Sequence, residues 1–339
     1  MKKRSGWRRV GVVMGGSSGE RDVSLRSGSA VADALEARGH DVVRIALGEG
    51  FGADFATTIA RAKVDVVFLA LHGRYGEDGC VQGALELSRV PYTGSGVLAS
   101  ALAMDKLKAK ELFRLHNVPT PPYYVVAADD DLADLESQHG SFGYPVVVKP
   151  RGEGSSLGVA KATGPSELAR GLRAAFDLDD TALVERFVQG MEVNVGILDG
   201  HVLGAIEVAP KNGMYDYEAK YTPGMTEYFM PARLSPTRYR GVCNLAARAA
   251  AALGCSGAAR VDLLVTPGEN EYVLEVNTLP GMTPTSLLPK IAAHAGLEFG
   301  ALCERILEGA RLHGPRTARR APATSYTSLP AVAPVAKVG

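Results

Sequence analysis

Short apolar runs separated by amphipathic stretches organise the first hundred residues of the chain. Residues 10–14 (VGVVM), 41–47 and 65–71 read as buried strands, and 24–38 and 55–63 as helices with an apolar stripe. This alternation predicts a right-handed parallel α/β unit to about residue 100. Ligands collect at the carboxyl ends of such strands. Two polar turns fall there, 15–20 (GGSSGE) and 72–79 (HGRYGEDG). The first does not match G-x-G-x-x-G, which argues against a dinucleotide-binding dehydrogenase.

Residues 97–115 read as one helix, and 117–122 (NVPTPP) as a break. Strands at 123–126 and 145–149, a glycine-rich loop, a helix near 166–176 and a strand at 182–187 follow. A third section runs from 192 to about 311. From Gly314 onward, Ala, Pro, Ser and Thr without periodicity predict a disordered tail. The expected divisions are 1–104, 105–191, 192–313 and 314–339.

The most informative pattern lies at 259–277. Apolar runs at 259–265 (ARVDLLV) and 272–277 (YVLEVN) flank Thr266-Pro267-Gly268-Glu269-Asn270, a hairpin signal. With Gly268 and Glu269 at the tip, Asp262 pairs with Glu275 and Arg260 with Asn277. Alternation puts these four on one face. The other face sets Val261, Leu263 and Val265 against Tyr272, Leu274 and Val276, as core. Facing Cβ atoms sit about 4.5–5.5 Å apart, so two opposed carboxylates repel unless a cation lies between them. A solvated acidic face is the plainer alternative, but such a face more often mixes Lys, Thr and Ser. Carboxylate oxygens with an amide oxygen form a hard donor set suited to Mg²⁺, a metal that usually accompanies phosphate.

At 339 residues the chain exceeds one compact core. Its 37 basic and 37 acidic residues cancel, so no nucleic-acid partner is implied. A hydrophobic content of 46% with 39 glycines fits an α/β enzyme rich in turns. Cys80, Cys243, Cys255 and Cys303 lie far apart with no C-x-x-C pair, and the seven histidines are scattered. That argues for a reducing cytoplasm and against zinc. Lys2-Lys3-Arg4 and Arg8-Arg9 precede an apolar run too short for an export signal, and no stretch approaches a membrane span.

Lys149 closes a strand before Pro150-Arg151-Gly152-Glu153-Gly154-Ser155-Ser156-Leu157-Gly158. A cation beside a loop of N–H donors suits a polyphosphate, although the Walker A spacing is absent. A surface loop is the alternative. Lys106, taken singly, reads as solvated, and Glu185 as a surface carboxylate. Yet Glu185 ends a strand at a junction where adenine could bond to backbone between apolar walls. Residues 211–231, carrying Tyr215, Asp216, Tyr217, Glu218, Lys220 and Tyr221, read as a lid. The turn Pro280-Gly281-Met282-Thr283-Pro284-Thr285-Ser286-Leu287 supplies N–H donors and a hydroxyl for a carboxylate, with helix capping as the alternative for Ser286.

Six motifs in this order resemble the D-alanine–D-alanine ligases of the ATP-grasp superfamily. They are GGSSGERDVS (15–24), ALHGRYGEDG (70–79), PYTGSG with MDK (91–106), VVKPRGEGSSLGV (147–159), YDYEAKY (215–221) and LEVNTLPGMTPTSL (274–287). The resemblance covers roughly residues 9–310. It implies a mixed α/β ATP-grasp fold with a Rossmann-like N-terminal domain. The implied activity joins two D-alanines to D-alanyl-D-alanine with ATP, through an acyl phosphate, for peptidoglycan precursors.

On matching residues, the resemblance implies that Lys106 and Lys149 contact ATP phosphates under the loop holding Ser155 and Ser156. Glu185 and Val188 would hold adenine, Glu192 the ribose, and Lys220 the γ-phosphate. Asp262, Glu275 and Asn277 would bind two Mg²⁺ (or Mn²⁺), with an activating monovalent cation left open. Glu20 would take the first D-alanine's ammonium, in a network with Ser155 and Tyr221, and His72 would assist positioning. Ser286 and Leu287 would hold the second carboxylate; Arg260 and the Gly281 amide would stabilise the oxyanion. A cytoplasmic homodimer is implied. Leu279 stands where many relatives have a polar residue, and Asn194 replaces a usual Thr. D-lactate or D-serine is the rival second substrate, and the Lys220-Tyr221 pair favours an amine. A non-catalytic ATP-binding regulator would lack a metal ligand or Arg260, and neither is missing.

Overall fold

β1 (Arg9–Gly15), β2 (Asp41–Leu47) and β3 (Val66–Leu69) form a parallel sheet in the order β2-β1-β3. Helices α1 (Arg21–Ala37) and α2 (Phe55–Ala62) alternate with them, as the apolar pattern predicts, and α3 (Cys80–Ser88), which that pattern does not single out, follows β3. The computed structural model describes residues 6–50, 52, 54–131, 135–211, 222, 224–268 and 270–314. α1 begins three residues before the expected start, because Ser24 is a buried tie rather than a first-turn residue. Its hydroxyl accepts from the Gly15 N–H at 2.8 Å and donates to the Ala70 carbonyl at 2.6 Å. The turn at 15–20 is thereby anchored to two strand ends.

The single helix expected at 97–115 is instead two, α4 (Val97–Met104) and α5 (Lys106–Leu115). Asp105 breaks it in an extended conformation. Its carboxylate accepts from the Lys108 N–H at 3.0 Å, capping α5. The same carboxylate binds Arg151 at 2.9 Å (Nε) and 2.6 Å (Nη2). Helical propensity is overruled by a partner far along the chain.

β4 (Tyr123–Ala127), β5 (Val146–Pro150), β6 (Ala160–Ala162) and β7 (Thr181–Arg186) make an antiparallel sheet in the order β4-β7-β5-β6. Between them lie α6 (Leu135–His139) and α7 (Pro165–Phe176). Val146, Val148, Leu168, Leu172 and Val184 fill a core of their own there.

β8 (Met191–Leu198), β9 (His201–Pro210), β10 (Thr226–Phe229), β11 (Ala258–Val265) and β12 (Glu271–Asn277) form the third sheet, ordered β10-β9-β8-β11-β12. One face packs on α8 (Pro236–Ala252), burying Val193, Val261 and Leu263 against Val242 and Ala246. On the other face, α9 (Leu287–His294) sets Leu287 and Ile291 on Ile206 and Val208. Full burial of such side chains stabilises by about 1.5–3 kcal/mol each. α10 (Phe299–Glu308) joins Leu198, Ala258 and Leu288 to Val10, Val12 and Phe68, so the first and third sheets share one core.

The β11–β12 register pairs Arg260 with Asn277 and Asp262 with Glu275, as expected. A bulge between Asp262 and Leu263 then shifts the pairing to Leu263–Val273. In place of the expected Tyr272 and Leu274, Val273 enters the core, since one extra residue inverts the phase of alternation. Among the described residues, no helix is long and apolar enough to cross a membrane. Lid residues 212–221 and 223, hairpin-tip Glu269, and tail residues 315–339 lie outside those described.

Candidate active site

A cleft of about 760 Å³ opens where the three sheets meet. The turn before α1 brings Glu20, the turn after β3 brings His72 and Glu77, and α5 brings Lys106. The loop after β5 adds Ser155; the β11–β12 ribbon adds Arg260, Glu275 and Asn277; the turn before α9 adds Gly281 and Ser286.

On the ribbon, Arg260 grips the buried Asp262 carboxylate, Nε to Oδ1 at 2.7 Å and Nη2 to Oδ2 at 2.8 Å. The Asn277 amide donates to Asp262 Oδ2 at 3.2 Å. Asn194 lies in register with Asp262 on its other side, so Asn194, Asp262 and Glu275 form a row across three strands. Among the described residues, no three His, Cys, Asp or Glu side chains gather into a metal site. A cation at this ribbon therefore relies on two carboxylates, an amide oxygen and groups supplied by its ligand. That all-oxygen donor set fits Mg²⁺.

Lys106 is buried, not solvated as its sequence context indicates. Its ammonium donates to the Glu153 carbonyl and its N–H to the Arg151 carbonyl at 3.1 Å. Burial pulls its pKa below the ordinary lysine value, with Lys149 adding repulsion and Glu275 opposing. Glu185, only 2% exposed, is buried rather than a surface carboxylate. It lies between Lys149 Nζ at 2.8 Å and Lys110 Nζ at 3.1 Å. Burial works against the Glu185 carboxylate, yet the two ammonium groups hold it below the usual range. Burial likewise opposes the Lys149 charge, but Glu185 keeps its pKa above the ordinary value. Lys110, which the sequence reading left out, is pushed down to about 8 by burial despite Glu185. Its signal was its spacing: it sits one turn after Lys106, on the same helix face.

Glu20 and Ser155 meet, the serine hydroxyl donating to Oε1. Ser155 and Ser156 both adopt left-handed backbone, at φ of 50° and 59°. The His72 ring is buried, its Nε2 3.5 Å from Ser27 Oγ, and its carbonyl accepts from the Ser18 hydroxyl at 2.7 Å. Burial lowers the His72 pKa against the pull of Glu20. Gly73 turns at φ +68°, where a Cβ would stand 2.9 Å from that of Ser18.

Glu77 was also missed, although it lies within the 72–79 turn. Its carboxyl accepts from the Gly73 N–H at 2.7 Å and the Leu279 N–H at 3.3 Å, linking the 72–79 turn to the segment after β12. Burial, with Glu20 nearby, pushes it up to about 8.

Ser286 occupies the N-cap position of α9 but its side chain does not cap the helix. Instead it accepts from the Thr283 N–H at 3.1 Å and contacts the Thr283 hydroxyl at 2.7 Å. A Cβ on Gly281 would stand 2.8 Å from Ser286 Oγ, so these two converge, and Leu287 follows as the first helical residue. Val188 and Glu192 are half-buried at the junction of β7 and β8. Lys220 and Tyr221 lie outside the described residues, while Thr222 and Gly224 border the cleft.

Family models for the D-ala D-ala ligase N-terminus and C-terminus match residues 51–95 and 112–308. A D-alanine–D-alanine ligase of Geotalea uraniireducens is 53% identical, covering 90% of this chain and 96% of its own. That of Geobacter sulfurreducens is 52% identical, covering 90% and 94%. Among solved structures, the Bacillus anthracis D-alanine–D-alanine ligase superposes with a TM-score of 0.77 at 37% identity, over 89% of this chain and 97% of that one. The VanG D-Ala:D-Ser ligase of Enterococcus faecalis gives 0.77 at 30%, over 88% and 98%.

Proposed function

Because this chain belongs to the D-alanine–D-alanine ligase family, we propose how its residues divide the work of joining two D-alanines with ATP for peptidoglycan precursors. Residues 1–104 seat the first substrate, 105–191 and 192–313 close on the nucleotide, and 314–339 stand apart from the chemistry. Lys106 and Lys149 neutralise the phosphates beneath Ser155 and Ser156. Glu185 and Val188 border adenine, the Glu185 carboxylate also fixing Lys149, and Glu192 takes the ribose. Lys220 reaches the γ-phosphate from the lid. Asp262, Glu275 and Asn277 offer oxygens to two Mg²⁺ (or Mn²⁺), which when bound draw charge from the transferring phosphoryl group.

A carboxylate is a poor acylating agent. Glu20 holds the ammonium of the first D-alanine, with Ser155, Tyr221 and His72 fixing its place. One carboxylate oxygen of that D-alanine attacks the γ-phosphorus, ADP leaves, and an acyl phosphate remains. Ser286 and the Leu287 N–H hold the second D-alanine, whose amine, having lost a proton, attacks the acyl carbon. Arg260 and the Gly281 N–H meet the tetrahedral oxyanion before phosphate departs. Water would hydrolyse the acyl phosphate, so the lid must exclude it.

One observation carries this reading: Arg260 and Asn277, both bonded to Asp262, line the same cleft as the Glu20–Ser155 pair. A coupled phosphate-release assay with D-alanine, L-alanine and D-lactate tests it. Release with D-alanine alone, and a dipeptide by mass spectrometry, is expected; a depsipeptide as chief product overturns it. Relatives at about half identity are named for D-alanine, which favours that acceptor over D-serine. Repeating the assay in K⁺ and Na⁺ reads any monovalent-cation activation. Leu87 on α3 and Leu98 on α4 expose 88% and 72% of their surface, apolar area that a homodimer through the first domain would cover. Light scattering reads its mass, and the use of ATP supports a cytoplasmic site of action.

A further inference from the structure

The wall facing the ribbon is made by the first turns of α9. Ser286 opens it, and one turn on, Lys290 lines the same cleft. Residues four apart share a helix face, and helical side chains lean toward the N-terminus. The Lys290 stem therefore runs back toward Ser286 and the Leu287 N–H. Its ammonium sits over the Tyr228 ring, 3.8 Å from the centroid. Among the described residues, no carboxylate forms an ion pair with it. Partial burial pulls its pKa below the ordinary lysine value. A half-buried ammonium with only an aromatic face beneath it gains by meeting an anion.

We propose that Lys290 binds the carboxylate of the acceptor D-alanine, completing a seat with the Ser286 hydroxyl and the Leu287 N–H. The assignment rests on the ligase reading above. Two neutral donors at a helix start locate a carboxylate; an ammonium on the same face adds a charge-assisted hydrogen bond. Tyr228 keeps that ammonium in place, so less side-chain freedom is lost on binding. Asp22 and Arg26 border the same cleft from α1, but both are exposed and screened by solvent.

The test compares wild type with Lys290→Met, which keeps an apolar stem over Tyr228, and Lys290→Arg, which keeps the charge. Initial rates against D-alanine at saturating ATP resolve donor and acceptor KM values. Lys290→Met is expected to raise the acceptor KM about tenfold. Donor KM, ATP KM, kcat and Tm should stay within twofold or a few degrees, and Lys290→Arg should recover most of the loss. An unchanged acceptor KM in Lys290→Met overturns the assignment, as does a parallel rise in all three constants. Wild-type protein that forms no dipeptide would defeat the ligase reading instead, so the two failures are distinct.

Discussion

Arg260 and Asp262 hold each other: the carboxylate proposed to bind the metal also aims the guanidinium proposed to meet the oxyanion. A fork with two bonded nitrogens cannot rotate freely, so the donor is in place before charge develops. Arg260→Ala should lower kcat by about 100-fold, on the order of 3 kcal/mol, by analogy with losing an oxyanion donor. Arg260→Lys should recover little, because a point charge does not reproduce the fork. Stopped-flow turnover on variants with wild-type circular dichroism checks this; near-normal kcat refutes it.

Glu275 lies opposite Asp262 and is the more accessible of the two. Glu275→Gln removes one anionic donor without changing size. The Mg²⁺ concentration for half-maximal rate should rise roughly tenfold or more. A titration curve superimposable on wild type would count against the ribbon as the metal's seat.

Lys110, 1% exposed, shares Glu185 with Lys149. Lys110→Met leaves the buried carboxylate with one cation. The loss should be about 2 kcal/mol, below the full range for an orphaned buried charge because Lys149 remains. Urea denaturation measures it, and adding Glu185→Gln should cost less than the sum of the single changes. Additive losses would show that the two side chains are uncoupled.

Glu77 carries a pH signature. Its folded pKa, about 8, lies above the unfolded glutamate value. Between about 4.3 and 8 the folded state therefore holds the extra proton, and this group's contribution to stability falls as pH rises. Glu77→Gln abolishes that dependence. The Tm of Glu77→Gln relative to wild type should climb from pH 5 to pH 8; a difference that stays flat or declines contradicts the assignment.

The ribbon's register was readable because its polar residues recur every second position and a Pro-Gly turn fixes the phase. The bulge after Asp262 was not, since no glycine or proline marks it and Val273 and Leu274 are equally apolar. The break at Asp105 was hidden for a different reason. Helical periodicity runs through 97–115, and the competing partner, Arg151, is remote in sequence. Lys106 looked solvated, and Lys110 was passed over, for the same cause: the burial of a lysine is decided by distant groups such as Glu153 and Glu185. Glu77 escaped because an acidic residue in a glycine-rich turn resembles any other loop carboxylate.

The fusion of the first and third sheets into one apolar interior has a kinetic corollary. Val10 and Phe68 cannot slide past Leu198 and Leu288 without exposing both sets to water. The second sheet, with Val146, Leu168 and Val184 enclosed among themselves, carries no such tie through its core. On the proposed division of roles, nucleotide entry and ADP escape would cost least by movement of the middle layer, with the residues proposed to seat both amino acids left on a single anvil.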